Sequence, residues 1–506
     1  MTRTLHTFSG GLHLDTHKHE SRDVPSMLVP LPGQIILPLK QHIGLAARPL
    51  VHRGERVLKG QIIAEPEGYV SVPVHATTSG VVRDIGDYHI PHPFGIREPC
   101  IVIEADGLDE LFPIEAVTDY EALTPQAMQE IIRNCGIAGL GGAGFPAHVK
   151  LKEGVDNAVD TLIINGVECE PYITCDDRLI REKASYVVSG ARMIRHAVNA
   201  KHCVIAVEDD MPEAHDALAE HITAHDDIEL VRVPTRYPAG GEKQLIQVLT
   251  GKEVPSGGFS INIGIIVHNV ATAAAVYRAV TRGEPLISRY VTVTGEVKTP
   301  RNLQVLLGTP VSDCLKLCGY EDSGDTRIIV GGPMMGTQVR DCNIPVTKTT
   351  NCIIVRRKIP PIQELPCIRC GRCADVCPVN LLPQQLYLYA KADRFDETRQ
   401  HHLFDCIECG CCSCVCPSHI PLVQYYRYAK FEIALEEQRR HGGARAEQRF
   451  LNRNRRLEQK QQHKQERKSG SPAATVESGD SDADRKAFVR AAVARTRSRK
   501  ERGTDS

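Results

Sequence analysis

The stretch Cys367-Ile-Arg-Cys370-Gly-Arg-Cys373-Ala-Asp-Val-Cys377-Pro378 is answered 39 residues later by Cys406-Ile-Glu-Cys409-Gly-Cys-Cys412-Ser-Cys-Val-Cys416-Pro417. Three thiolates with two residues between neighbours reach three corners of one iron–sulfur cube. The fourth, after a longer gap, points away and ligates the other cube. The spacing therefore predicts two [4Fe-4S] clusters with crossed ligands. Cluster one takes Cys367, Cys370, Cys373 and Cys416; cluster two takes Cys406, Cys409, Cys412 and Cys377. Cys411 and Cys414 fall outside the frame, as buried thiols near the clusters or as exchange ligands. Structural zinc prefers paired Cys-x2-Cys halves to triple runs closed by Cys-Pro. The 28 residues from Pro378 to Asp405 exceed the needs of a hairpin, and Leu381 to Ala392 has a helical pattern. A helical variant of the two-cluster ferredoxin is expected. Arg369 and Arg372 lie in the first run, Asp405 and Glu408 at the second, and this asymmetry predicts a higher potential for cluster one.

Ten of the 19 cysteines sit in this segment, and the rest show no disulfide-like spacing. With no apolar leader among residues 1–30, clustered thiols point to a reducing compartment and to metal. No run of about 18 apolar residues is present, so no membrane-spanning helix is expected. The nearest candidate, Ile261 to Val276, is interrupted by polar residues and reads as a strand running into a helix. A net charge of −1 argues for no particular partner, and no nucleic-acid partner is expected.

Outward from the cysteines, the pattern divides the 506 residues into several domains. Residues 25–110 carry short strand-like runs with recurrent turns and resemble a lipoyl-type β sandwich, without a lysine suited to carry a prosthetic group. Residues 120–285 alternate helix and strand patterns, as in an α/β domain. Residues 288–345 return to strands, closing with Arg327 to Val330, and resemble the soluble-ligand-binding (SLBB) β-grasp module. The ferredoxin-type segment spans 358–425. Residues 426–468 read as a basic helix; from Ala429 to Lys468 there are twelve Lys/Arg against six Glu. That helix presents either a solvated face or a contact for anionic lipid or an acidic partner. Residues 469–506 have few apolar groups and read as a disordered tail.

Gly139-Leu-Gly141-Gly-Ala-Gly144-Phe-Pro satisfies G-x-G-x-x-G, but a helix-like segment precedes it, which argues against a Rossmann unit. A loop whose backbone N–H groups approach a phosphate remains open. With Lys150 it resembles the flavin loop of the NADH-oxidising, FMN-binding subunit of respiratory complex I. Asn165-Gly-Val-Glu168-Cys-Glu170-Pro171, Gly241-Glu242 and His268-Asn269-Val-Ala-Thr272 resemble further segments of that family, in the same order. Preceded by the sandwich and followed by the β-grasp module and two ferredoxin runs, the whole resembles the RnfC family of the Rnf-type ion-translocating oxidoreductases.

The resemblance implies that Gly139, Gly141, Gly142, Gly144 and Lys150 hold FMN, with Asn165, Glu168, Asn269 and Thr272 beside it. It implies that Glu170 and Glu242 face the nucleotide. The chain departs from complex I at Lys243 and Ala271, where that family has acids. The implied role is peripheral electron input on the cytoplasmic face of a bacterial inner membrane. Electrons would pass between NADH and a ferredoxin or ferredoxin-like subunit through FMN and two clusters. Other subunits of the complex and the membrane surface are the implied partners. Two other readings use the same residues: a soluble diaphorase module, and a flavin-free relay in which the α/β domain only docks partners. No residue is assigned as an acid–base catalyst.

Overall fold

The strand Thr161–Gly166 carries Leu-Ile-Ile at its centre with no polar alternation, the signature of a strand covered on both faces. It lies inside a four-stranded sheet, in the spatial order Ile228–Val233, His202–Glu208, Thr161–Gly166, Ile265–Asn269, with every pairing parallel. Leu162 and Ile164 point into one apolar layer, Ile163 into the other. The helices Cys175–Val198 and Val270–Arg282 pack together at Gly190, where a Cβ would stand 1.9 Å from the carbonyl oxygen of Ala273. As expected, the segment before the glycine loop is a helix, Pro125–Asn134. The computed structural model describes residues 3–92, 94–113, 116–223, 227–360, 362–469, 486–487 and 489–491.

The sandwich is built from two antiparallel sheets. One has the order Gln34–Pro38, Arg97–Ala105, Gly80–His89, Arg56–Val57; the other Arg48–Pro49, Ile62–Glu65, Val74–His75. The β-grasp sheet is larger than its sequence pattern indicates. Thr326–Val330 does not close it. Cys352–Arg357 inserts between Ser288–Gly295 and Thr326–Val330, and Met27–Leu28 adds a parallel edge strand beside Arg301–Leu306. Cys352-Ile-Ile-Val355 is fully buried, so a central position is the physical reason for its continuous apolar run. Between the cysteine runs lie two helices, Pro383–Lys391 and Phe395–Gln400, where the sequence indicates one.

The first thirty residues have a part in the fold that composition does not reveal. They form a strap across the α/β domain. His6 N–H donates to the Val248 carbonyl at 2.8 Å, and Arg3 pairs with Glu229 at 2.6 Å. Gly11 N–H then donates to the Val376 carbonyl at 2.9 Å, which ties the cysteine segment to the same strap. Farther on, Lys18 Nζ is buried 2.5 Å from Glu208. Arg22 joins Asp177 and Asp210, each at 3.0 Å.

The chain divides into two compact units, 1–431 and 432–506. The helix Leu422–Ser469 begins in the first and makes up most of the described second unit. From Glu432 onward it is polar on nearly every face, with an Arg440–Glu436 pair at 2.5 Å along it. The tail expected at 469–506 lies outside the described residues, apart from Ser469, 486–487 and 489–491. Among the described residues no helix is long and apolar enough to cross a membrane.

Replacing Lys18 by Met strands the Glu208 carboxylate in the interior, and breaking one side of a buried pair costs about 3–5 kcal/mol. Urea unfolding of the Lys18→Met protein is expected to show a loss of that size, part of it recovered by adding Glu208→Gln.

Candidate functional site: one cavity and two cysteine cages

The parallel strands end at Asn165-Gly166 and Asn269, and a cavity of about 680 Å³ opens there. This is where open parallel sheets place ligands, beyond the carboxyl ends of the strands. The glycine loop forms one side. Its neck is tied by Gly139 N–H to the Phe145 carbonyl at 2.8 Å and by Leu140 N–H to Thr272 Oγ1 at 3.0 Å. Gly142 sits at φ +105°, and at Gly144, φ +63°, a Cβ would lie 2.8 Å from Thr349 Cγ2. A side chain at either position would strain the backbone, and at Gly144 it would also crowd Thr349.

Every flavin or nucleotide residue expected from the sequence lines this one cavity: Gly139, Gly141, Gly142, Gly144, Lys150, Asn165, Glu168, Glu170, Glu242, Asn269 and Thr272. Several also hold the cavity in shape. Asn165 accepts from Val167 N–H and donates to the Gly240 carbonyl, each at 2.9 Å. Asn269 caps the helix Val270–Arg282 through Ala271 N–H at 2.8 Å and donates to Asp176 at 2.5 Å. Lys150 spans from Glu242, at 2.8 Å, to the Val267 carbonyl at 3.1 Å. Burial pushes the Glu242 carboxyl up, but the Lys150 ammonium and the Ser260 hydroxyl outweigh it and hold it below its ordinary range.

Glu168 accepts from Asp176 N–H at 2.9 Å and Asp177 N–H at 3.3 Å, at the first turn of the helix Cys175–Val198. Burial, and then the neighbouring Asp176, raises its pKa despite that favourable helix end. Glu170 is engaged differently: its Oε1 accepts from Met334 N–H at 2.8 Å and Met335 N–H at 2.9 Å, on a loop of the β-grasp domain. That loop, Gly331–Gly336, forms the opposite side of the cavity. Sequence reasoning misses it, although Gly-Gly-Pro-Met-Met-Gly directly after a strand is itself a loop signature.

Two lining side chains present buried polar atoms with no hydrogen-bond partner, His268 Nε2 and Gln244 Oε1. Such atoms are costly unless a ligand or water meets them. Burial drives the His268 pKa down to about 3, so it offers a neutral imidazole. The narrow glycine loop, the cavity volume and these two orphaned atoms fit a flavin mononucleotide.

The cysteines form two cages. Cys367, Cys370, Cys373 and Cys416 line one small pocket together. Cys377, Cys406, Cys409 and Cys412 line another, and Cys411 lines it too. The grouping is the crossed one that the spacing predicts. The two runs also repeat one backbone trace at the 39-residue offset. Arg369 and Glu408 have φ +56° and +58°, Gly371 and Gly410 +81° and +82°, Asn380 and His419 +53° and +51°. The cages differ in exposure. Cys370 is open to solvent, whereas Cys377, Cys409 and Cys412 are buried. Cys411 is buried beside Cys409, and Cys414 is exposed.

The second cage shares a wall with the cavity. Ile407 and Cys409 line both, and Tyr237 OH donates to the Cys409 carbonyl at 2.6 Å. The charge asymmetry read from the sequence does not survive here. Glu408 is held by Arg427 at 2.8 Å and Lys430 at 2.7 Å, from the following helix, and Asp405 accepts from Ser256 at 2.5 Å. Arg427 and Lys430 compensate Glu408, whereas the Ser256 hydroxyl leaves the charge on Asp405.

Comparison with known proteins agrees with this layout. Residues 6–108 match the RnfC barrel sandwich hybrid domain, 132–278 the Nuo51 FMN-binding domain, 290–338 the SLBB domain and 366–420 a 4Fe-4S dicluster domain. Together these define an electron-transfer protein that carries FMN and two [4Fe-4S] clusters. The RnfC protein of the ion-translocating oxidoreductase complex of Serratia proteamaculans is 44% identical over 496 residues, 97% of this chain and 69% of that protein. Its counterpart in Pseudomonas aeruginosa is 46% identical over 405 residues, 79% of this chain and 52% of its own length. The chain belongs to the RnfC family of ion-translocating oxidoreductase complexes, and it spans about half the length of relatives such as the P. aeruginosa protein. An NAD+-reducing [NiFe]-hydrogenase chain aligns over 58% of this chain and 60% of its own, with 19% identity and a TM-score of 0.44.

Burial also depresses His75 to about 3 and His148 to about 4. The unfolded chain takes up these protons below about 6.5, whereas the folded chain resists them. The stability these histidines contribute is therefore fully present above pH 6.5 and is lost as pH falls toward 3–4, while the raised carboxyls of Glu168 and Asp176 act with the opposite sign. Each histidine adds a slope of up to about 1.4 kcal/mol per pH unit. Relative to wild type, His268→Gln is expected to lose less stability between pH 7 and pH 4.5, read from denaturant midpoints.

Proposed function

We propose that this chain is the electron-input component of a membrane-bound oxidoreductase complex. NADH is its nucleotide substrate, FMN and two [4Fe-4S] clusters are its carriers, and a low-potential ferredoxin-like carrier stands at the other end of the circuit. The observation that supports this most is the shared wall between the cavity and the buried cysteine cage. FMN, when bound, takes a pair of electrons as hydride and releases electrons singly, which matches a two-electron donor to one-electron clusters.

The residues have distinct tasks in this reading. Gly139 to Gly144 bring backbone against the phosphate. Lys150, held by Glu242, fixes the cavity's edge. His268 Nε2 and Gln244 Oε1 offer one acceptor and one further polar contact to the flavin. Met335, Val330 and the Gly331-Gly332 backbone exclude water on the far side. Lys243 also lines the cavity, and it gives a cation for phosphate where complex I has an acid.

The buried cage lies next to the cavity and the exposed cage lies at the surface, so the exposed cage is the exit toward a partner. The same contrast sets the order of potentials. Burial disfavours the extra negative charge of a reduced cluster, so cluster one has the higher potential. The cause is exposure rather than the acids at the second run. Ion movement belongs to other members of the complex. The cytoplasmic face of the inner membrane, and contact of the basic helix with the membrane surface, complete the proposal.

Anaerobically purified protein is expected to release about one flavin and about eight irons per chain. Cys416→Ser removes cluster one and Cys377→Ser removes cluster two, each leaving about four irons and unchanged flavin. Cys411→Ala keeps about eight. Iron loss in the opposite pairing, or flavin absent from wild type, contradicts the assignment.

A further inference from the structure

Family resemblance has Glu170 facing the nucleotide, yet one of its carboxylate oxygens is committed elsewhere. One oxygen, Oε1, accepts two adjacent backbone N–H groups, those of Met334 and Met335, at 2.8 and 2.9 Å. The loop approaches so closely that a Cβ on Gly332 would lie 2.1 Å from Glu170 Cγ. The other side of the same peptide faces the cysteine segment. At Gly410, in the second run, a Cβ would stand 3.0 Å from the Met334 carbonyl oxygen. Met334 therefore has its N–H on Glu170 and its carbonyl against the buried cage. Met334, Tyr237, Cys409, Cys411 and Ile407 pack in one small apolar cluster.

We infer that Glu170 is a positioning residue for electron transfer: through the Met334–Met335 peptides it clamps the β-grasp loop onto the second cysteine run and keeps the partition between cavity and cage dry and fixed. This rests on the reading of the cavity as the flavin site. The glycines explain themselves in the same terms. Gly332 admits the carboxylate on one side of the loop, and Gly410 admits the Met334 carbonyl on the other. Glu170 Oε1 is the acceptor that the loop's two N–H groups require, which leaves only the other carboxylate oxygen for any nucleotide contact. No bond is made or broken by Glu170. Its part is to hold the medium through which single electrons pass from reduced flavin to an oxidised cluster.

The test uses full-length holoprotein and two readouts. Amide hydrogen exchange at Met334 and Met335 reports the clamp without flavin turnover. Stopped-flow bleaching with freeze-quench EPR separates NADH-driven flavin reduction from cluster reduction. In Glu170→Ala, the two amides are expected to exchange about 10- to 100-fold faster. Flavin reduction should stay within about twofold, while cluster reduction slows about tenfold or more. Glu170→Gln keeps the Oε1 acceptor and restores both. Gly332→Ala pushes the loop away with Glu170 intact and is expected to slow cluster reduction likewise, which carries the test should Glu170→Ala not fold. Unchanged amide exchange in Glu170→Ala overturns the inference. So does a rise in KM for NADH of about tenfold in both Glu170 variants with cluster reduction at the wild-type rate. A wild-type protein that NADH does not bleach contradicts the flavin reading instead, and the amide exchange still decides the clamp.

Discussion

The constraint on which the rest depends is the shared wall at Cys409. A cage of thiolates is useful to a flavin only when it is fixed against the cavity, and three separate parts of the chain fix it. Tyr237 OH holds the Cys409 carbonyl, Gln244 Nε2 reaches the Pro378 carbonyl at 3.3 Å, and the N-terminal strap binds Val376 through Gly11. Gly10 sits so close that a Cβ would lie 2.5 Å from the Val376 carbonyl carbon. The strap is anchored in turn by the buried Lys18–Glu208 pair. A polar, charged stretch with no local structural pattern thus acts as a brace between the α/β domain and the iron–sulfur segment.

The β-grasp domain takes a comparable role from the opposite side. Its central strand, Cys352–Arg357, leads directly into the cysteine segment, and its loop Gly331–Gly336 closes the cavity. The α/β domain supplies most of the cavity, the β-grasp domain its far wall, and the ferredoxin segment its floor at Ile407 and Cys409. Every domain but the sandwich contributes broadly, and the sandwich adds Pro91 from its long hairpin.

Much of this site was legible in the sequence because its chemistry is written in local spacing. Cysteines in a fixed frame can group in few ways, and the crossed cages follow from that frame. The cavity residues came from the resemblance of short motifs, at the ends of strands and the starts of helices, to those of the FMN-binding subunit of complex I. What escaped was non-local. Lys18 and Glu208 are 190 residues apart, and no pattern near either marks the pair. The neutralising partners of Glu408 come from a helix that begins beyond the second run. The central place of Cys352–Arg357 depends on a sheet whose other strands lie earlier in the chain. Glu170 is the most instructive case: its motif placed it at the cavity, and only the fold revealed the loop it holds.

The most direct test of the account is an anaerobic NADH titration of the purified full-length protein, followed by EPR. The account predicts that NADH bleaches the flavin and that signals of two reduced, mutually interacting [4Fe-4S] clusters appear, the solvent-exposed one first. Flavin bleaching with both clusters left oxidised would contradict the shared wall as an electron path. No bleaching of a flavin-loaded protein would contradict NADH as its substrate.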